Sequence, residues 1–251
     1  MSLRASVATI PPPQKLYLLQ VSTVTLPLPG GQTLEMSGGC YLIETTAGQH
    51  ILIDTGFPAD AQPPHGASAP QNEKSVLDHL EDLRLRPDDI NTLICTHFDI
   101  DHVGYHDAFP KAELIVQREH YTLARAGHPR FAPGRTHWDH PALRYRFLDG
   151  DTELLPGLTL LETSGHSPAH QSVLVRLPST GPVLLAIDAV MLERQFTADR
   201  KAWPMDDNEE QLRSSTTKLL NLVAREHVSL VIFGHDGTQW KQLKKAPAFY
   251  D

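Results

Sequence analysis

The chain has 251 residues, 40% of them hydrophobic, and a net charge of −8 with histidine neutral. That length is enough for a sizeable buried core. The acidic balance argues against a nucleic-acid-binding surface or an anionic membrane surface, and no apolar run approaches the ~20 residues of a membrane span. The two cysteines, Cys40 and Cys95, lie inside apolar runs, as expected of buried thiols in a reducing compartment. The N-terminus lacks the succession of a signal peptide, so a cytoplasmic protein is expected. Histidine is the unusual count, at 14.

Residues 1–14 read as an N-terminal extension closed by Pro11-Pro12-Pro13, and 15–251 as a single domain. Residues 15–21 alternate as a strand, and 26–38, rich in Pro and Gly, read as turn and hairpin. Residues 40–44 and 51–54 are strand-like around a turn at Thr46-Ala47-Gly48, and the second stops sharply at Asp54-Thr55-Gly56. A loop at 58–70 leads to a helix capped by Asn72 that reaches about Leu85 with Val76, Leu80 and Leu83 on one face. Strands are expected at 90–96 and 113–116, and a helix at 118–126. Residues 127–143 read as a long loop or lid over the site. Residues 158–162 form a strand, and 172–177 with 183–188 a hairpin. A helix begins at Asp206 and Asp207 and runs to about Glu226. A last strand, 229–233, ends at Gly234-His235-Asp236.

One pattern recurs along this order. Asp54, His97, His166, Asp188 and His235 each stand at or just after the end of an apolar strand. Sites form at such ends in layered α/β folds, so these edges are expected to meet. The densest stretch is Thr96-His97-Phe98-Asp99-Ile100-Asp101-His102-Val103-Gly104. In an extended backbone, alternate residues point to one side, so His97, Asp99 and Asp101 can converge, with His102 following. Gathering two carboxylates and two imidazoles beside an apolar strand is costly unless a cation compensates them. Two metals ~3.5–4 Å apart need roughly six or seven ligands, one of them bridging. The chain offers His97, Asp99, Asp101, His102, His166, Asp188 and His235.

The cluster resembles the H-x-H-x-D-H signature of the metallo-β-lactamase superfamily, with the flanking elements Asp54-Thr55-Gly56 before it and Gly165-His166-Ser167, Asp188 and Gly234-His235 after it in the matching order. Within that superfamily the chain resembles the quorum-quenching N-acyl-homoserine lactonases. The supporting stretches include Cys40-Tyr41-Leu42-Ile43-Glu44-Thr45, Gly165-His166-Ser167-Pro168-Ala169-His170-Gln171-Ser172, Leu184-Leu185-Ala186-Ile187-Asp188-Ala189 and Phe233-Gly234-His235-Asp236. The resemblance implies an αββα four-layer sandwich with a dinuclear centre. His97, Asp99 and His166 would hold one divalent metal, Asp101, His102 and His235 the other, and Asp188 would bridge. Zinc is implied by resemblance. A bridging hydroxide would attack the carbonyl of a lactone, with Asp101 and Asp188 as the catalytic carboxylates and Asp54 orienting a metal-bound histidine.

Two departures qualify the resemblance. Asp99 stands where the signature has its second histidine. Anionic oxygen in place of neutral nitrogen shifts preference toward iron(II) or manganese(II), or leaves the first position weak or empty. Met191 stands where such lactonases carry a tyrosine that hydrogen-bonds the substrate carbonyl, and methionine cannot donate. Tyr105, His106 and Tyr121 are candidate replacements, and Phe131, Trp138, Phe196 and Trp203 are candidate walls of an acyl pocket. The expected function is metal-dependent opening of a lactone ring, with N-acyl-homoserine lactone the first substrate to try. The alternatives are hydrolysis of another ester, thioester or phosphotriester, or a catalytically impaired binding homologue.

Overall fold

The computed structural model describes residues 11–61, 68 and 74–251. Two strands open the chain as a long hairpin, β1 (Pro13–Pro27) and β2 (Thr33–Thr45), turning through residues 28–32. The Pro- and Gly-rich character of 26–38 is therefore a tight turn between strands longer than expected. The boundary expected after residue 14 falls inside β1. β3 (His50–Ile53), β4 (Ile90–Ile94), β5 (Glu113–Gln117) and β6 (Arg144–Leu148) complete a six-stranded sheet in the order β1-β2-β3-β4-β5-β6, parallel from β3 onward. β7 (Thr152–Leu155), β8 (Leu158–Glu162), β9 (Gln171–Leu177), β10 (Gly181–Ile187) and β11 (Leu230–Phe233) form the second sheet, in the order β11-β10-β9-β8-β7.

Alternation along the strands builds the layers. In β2, Tyr41 and Ile43 point between the sheets, where they meet Val173, Leu185 and Ile187, while Cys40 and Leu42 point to the opposite face. That outer face is covered by α1 (Val76–Asp82) and α3 (Arg118–Arg125), through Val76, Leu80 and Ala124. The outer face of the second sheet, with Leu174, Leu184 and Ala186, is covered by α5 (Glu209–Glu226) through Leu219 and Leu222. Two sheets with apolar residues on both faces demand helices outside both, and the result is the expected αββα sandwich. Short helices α2 (Ile100–Val103), α4 (Arg135–Trp138) and α6 (Gly237–Trp240) occupy the connections.

Two helix starts differ from expectation. α1 is capped by Ser75, whose hydroxyl accepts from the Asp78 N–H while the Asp78 carboxylate accepts from the Ser75 N–H. This reciprocal box fixes the start. Asn72, the expected cap, lies outside the described residues, as does most of the 58–70 loop. α5 is capped by Asn208, which accepts from the Gln211 N–H, so Asp206 and Asp207 precede the helix and are available for other work.

Candidate metal centre

The C-terminal ends of β3, β4, β10 and β11, together with the loop after β8, converge on one corner of the sandwich. β3 runs directly into Asp54, held at a φ of 57°, a conformation aspartate tolerates better than most residues. Its carboxylate is buried and accepts from the Thr96 N–H (2.8 Å), from the Thr96 hydroxyl (2.7 Å) and from His102 Nδ1–H (2.8 Å). Thr96 Oγ1 in turn lies 3.0 Å from His97 Nδ1. With its own proton given to Asp54, that oxygen accepts from His97. One carboxylate therefore sets the tautomer of two imidazoles.

The other two rings are anchored in the same way. His166 Nδ1 lies 2.9 Å from Asp206 Oδ1, and His235 Nδ1 lies 3.0 Å from the Ser37 carbonyl oxygen. Each Nδ1 faces a fixed acceptor, so the lone pair of each neutral ring sits on Nε2. All four Nε2 atoms turn toward Asp188. The separations from its carboxylate are 3.0 Å for His235, 3.3 Å for His166, 3.5 Å for His102 and 4.0 Å for His97. Asp101, in α2, brings Oδ2 within 3.6 Å of His102 Nε2 and 3.7 Å of His235 Nε2.

Backbone geometry places Asp188. Ile187 is buried with a φ of 52°. A β-branched residue there costs on the order of 1–3 kcal/mol, and this turn directs the chain at the end of β10. Gly234 makes room opposite. A Cβ on it would stand 2.6 Å from the Ile187 carbonyl oxygen and 2.8 Å from Asp188 Oδ1, so the β10 and β11 ends approach this closely only around a glycine.

The electrostatics match a cation-binding pocket. Burial alone would raise the Asp188 pKa, but His235, His102 and His166 outweigh it and hold the carboxyl well below its usual range. Burial, reinforced by His102, pushes His97 down. Burial opposes charge on His102, and Asp101, Asp188 and Asp54 override it. The test of fit lies in the unpaired atoms. His97 Nε2, His102 Nε2 and Asp188 Oδ1 are buried without a hydrogen-bond partner. A buried lone pair with no donor is costly, and a divalent cation satisfies several at once. Asp101, His102 and His235 place one ligand atom each within 4.8 Å of one another, as do His97, His102 and Asp188. These donors fit a metal, with imidazole nitrogen and carboxylate oxygen as borderline-hard ligands.

The group His97, Asp99 and His166 is equally compact but differently committed. The Arg130 guanidinium donates to both oxygens of Asp99, from Nε at 2.7 Å and Nη2 at 2.6 Å, and Nη2 also lies 2.8 Å from His166 Nε2. Burial opposes charge on His166, while Asp188, Asp206 and Asp99 push its pKa up to about 9. The Arg130 N–H aimed at Nε2 nevertheless requires a lone pair there, and that hydrogen bond decides for the ring protonated on Nδ1. Both Asp99 oxygens and the His166 Nε2 lone pair are thus engaged by the guanidinium.

Other expected site residues lie elsewhere. Met191 is fully buried against Met36 and Leu192, and does not line the cavity beside the centre. Tyr105 packs on the outer core and donates its backbone N–H to Thr55 Oγ1, and Tyr121 packs against Tyr145 and Phe147 with its ring tilted to both. His106 is buried behind the centre with neither ring nitrogen paired. None of these offers a donor to the cavity. The aromatic candidates are packing residues. Phe131 and Trp138 are in the core, Trp138 stacked on Phe98 at 4.7 Å, and Phe196 packs on Phe233. The cavity itself measures about 260 Å³. Its apolar wall is Val24, Leu26, Met36, Phe57, Ile100 and Met205, and its polar end is Asp99, Asp101, His166, Asp188 and His235, with Ser22 the hydroxyl in its lining.

Sequence reasoning missed Arg130, Thr96 and Asp206. Thr96 was visible inside the motif as a hydroxyl beside a histidine. Asp206 was obscured by its proximity to α5. Nothing local marks Arg130.

Comparison with known proteins agrees with this architecture. The model of the metallo-beta-lactamase superfamily matches residues 35–235. An N-acyl homoserine lactonase of Bacillus sp is 32% identical over 243 residues, covering 92% of this chain and 94% of the relative. A crystal structure of a quorum-quenching N-acyl homoserine lactone hydrolase superposes with a TM-score of 0.85 at 31% identity, over 95% of this chain and 99% of that one. Another, of an N-acyl homoserine lactone hydrolase with the product N-hexanoyl-L-homoserine bound at its catalytic metal centre, gives 0.84 at 29% identity, over 95% and 100%. With the fold, the order of its motifs and the family match in agreement over most of its length, this chain belongs to the metallo-beta-lactamase superfamily.

Proposed function

We propose that this protein is a metal-dependent lactonase that opens the ring of N-acyl-homoserine lactones. The observation that carries this reading is the convergence of four Nδ1-anchored imidazoles on Asp188 at the polar end of an apolar cavity. Relatives and structural neighbours over more than nine-tenths of the chain are named for this substrate, and the cavity has the matching polarity. A lactone carbonyl belongs at the carboxylate and imidazole end, and an acyl chain along Val24, Leu26, Met36, Phe57 and Ile100.

Asp101, His102, Asp188 and His235 would hold a divalent cation. Such a cation lowers the pKa of water toward neutrality and polarises a carbonyl oxygen. The protein's own residues do the rest. Asp188, faced by the Nε2 atoms of all four imidazoles, fixes the rings around it. Asp101, half-buried at the cavity, takes a proton from the attacking water and returns it to the ring oxygen as the carbonyl carbon–oxygen bond breaks, giving the N-acyl homoserine. Met191 leaves carbonyl recognition without a tyrosine, and Ser22, the hydroxyl in the cavity lining, is the candidate donor in its place.

The test is acid release from N-acyl-homoserine lactones of short and long acyl chain, beside open-chain esters and thioesters, with zinc, manganese or iron supplied. Lactone opening that strengthens with acyl length supports this reading. Preference for open-chain esters or thioesters would replace it with a broader esterase, and release from no substrate would reduce the protein to a binding homologue.

A further inference from the structure

Arg130 is strongly engaged at the centre, and the lactonase chemistry leaves it unused. Its guanidinium spends every N–H it has. Nε and Nη2 form the two-pronged pair with Asp99, Nη2 also meets His166 Nε2, and Nη1 donates to the Met205 carbonyl oxygen at 2.8 Å and to Asp207 Oδ1 at 2.9 Å. Such planar, charge-assisted pairing is the geometry arginine is suited to and lysine is not. The next residue, Phe131, is fully buried in the outer core, so the backbone beneath the guanidinium is anchored.

A metal held by His97, Asp99 and His166 would need the Asp99 oxygens and the His166 lone pair that Arg130 already takes, leaving it only His97 Nε2, which stands unpaired 3.4 Å from Asp99 Oδ2. It would also stand against a fixed like charge. Aspartate at position 99 then acquires a reason. A neutral imidazole there could not accept both prongs of a guanidinium, whereas a carboxylate does.

We propose that Arg130 fills the first cation position of this centre. Asp99 and Arg130 form one device, in which a side-chain cation replaces a metal ion, and the protein binds a single divalent metal, at Asp101, His102, Asp188 and His235. The proposal rests on the metal-dependent reading for that second position. Because all its N–H groups are committed, Arg130 supplies charge and holds Asp99, His166 and the Met205 rim in place without a donor left for substrate. It is a positioning residue.

The experiment measures metal content by elemental analysis after zinc or manganese reconstitution, and locates the metal by anomalous diffraction from crystals of the unmodified protein. One equivalent per chain is expected, with one anomalous peak between His102 and His235 and the guanidinium still on Asp99. Arg130→Gln should then raise the content from one equivalent to two. Two peaks in the unmodified protein, or an R130Q chain that still holds one, would overturn the proposal while leaving the lactonase reading intact. No bound metal at all would overturn both. Should R130Q fail to fold, the anomalous map of the unmodified protein decides alone.

Discussion

At the scale of single residues, one buried carboxylate governs two imidazoles. Asp54 accepts from His102 directly and reaches His97 through the Thr96 hydroxyl. Asp54→Asn would present an amide N–H to His102 Nδ1, force the ring proton onto Nε2 and remove the ligating lone pair. Metal affinity should fall ~10–100-fold, read by competition with a chelating dye, while the carboxylates of the centre stay in place. Asp99 is the other instructive residue. Asp99→His alone leaves Arg130 competing for His166, so it should add little metal. Asp99→His combined with Arg130→Ala should bring the content to two equivalents. A double variant that still holds one equivalent would show that Arg130 does not fill the first cation position. The ligand types and their spacing were legible in the sequence because coordination chemistry limits donors to a few residue types. The partner of Asp99 was not, because an arginine 31 residues away meets it only through the fold.

Between residue and domain, the segment 127–143 behaves differently from the lid expected of it. A short 3-10 turn at Pro129–Phe131 and α4 (Arg135–Trp138) bury Phe131 and Trp138 against Phe98. The Trp138 indole N–H donates to the Phe131 carbonyl oxygen at 2.9 Å. The segment is part of the core layer outside the first sheet, and Arg130 projects from it into the centre. Phe131→Ala should cost ~3–5 kcal/mol of stability, seen as a lower denaturant midpoint. It should also loosen the hold on Asp99, so that the metal content of the folded fraction rises above that of the unmodified chain. Prolines and scattered histidines hid this packing, since no period of 2 or 3.6 runs through the stretch. β6 shows the opposite case. Its Arg-Tyr-Arg-Phe alternation is a strand pattern, but it is short and directly follows the aperiodic 127–143 segment, so no strand is expected there from the sequence. The long apolar strands and α5 were legible because their periodicity is sustained.

For the molecule as a whole, two buried histidines outside the proposed ligand set tie stability to pH. His120 accepts from the Phe98 N–H through Nε2 (2.8 Å) and faces the Pro168 carbonyl oxygen through Nδ1 (2.6 Å), joining the motif loop to the loop after β8. Burial pushes its pKa down to about 4, and burial with nearby His137 and His102 pushes His106 to about 3. Below an unfolded-state value of about 6.5 the unfolded chain binds these protons and the folded chain does not, so stability falls as pH drops. Each group contributes a slope of up to about 1.4 kcal/mol per pH unit, from about pH 6.5 down to about 4 for His120 and about 3 for His106. His120→Gln should be less stable at pH 7 and less sensitive to acid, as read from denaturant midpoints across that range. An unchanged pH slope would mean that His120 is not buried neutral. Convergence of strand ends from both sheets was anticipated from the sequence because each ligand follows an apolar run. The charge balance at the corner was not, since it depends on Arg130 and Asp206 arriving from distant loops. The central claim is that one divalent metal in this corner opens a lactone. Its most direct measurement is titration of the chelator-treated protein with metal while acid release from an N-acyl-homoserine lactone is followed. Activity should rise linearly and level off at one equivalent per chain. A rise that continues to two equivalents, or no acid release at any metal content, would contradict it.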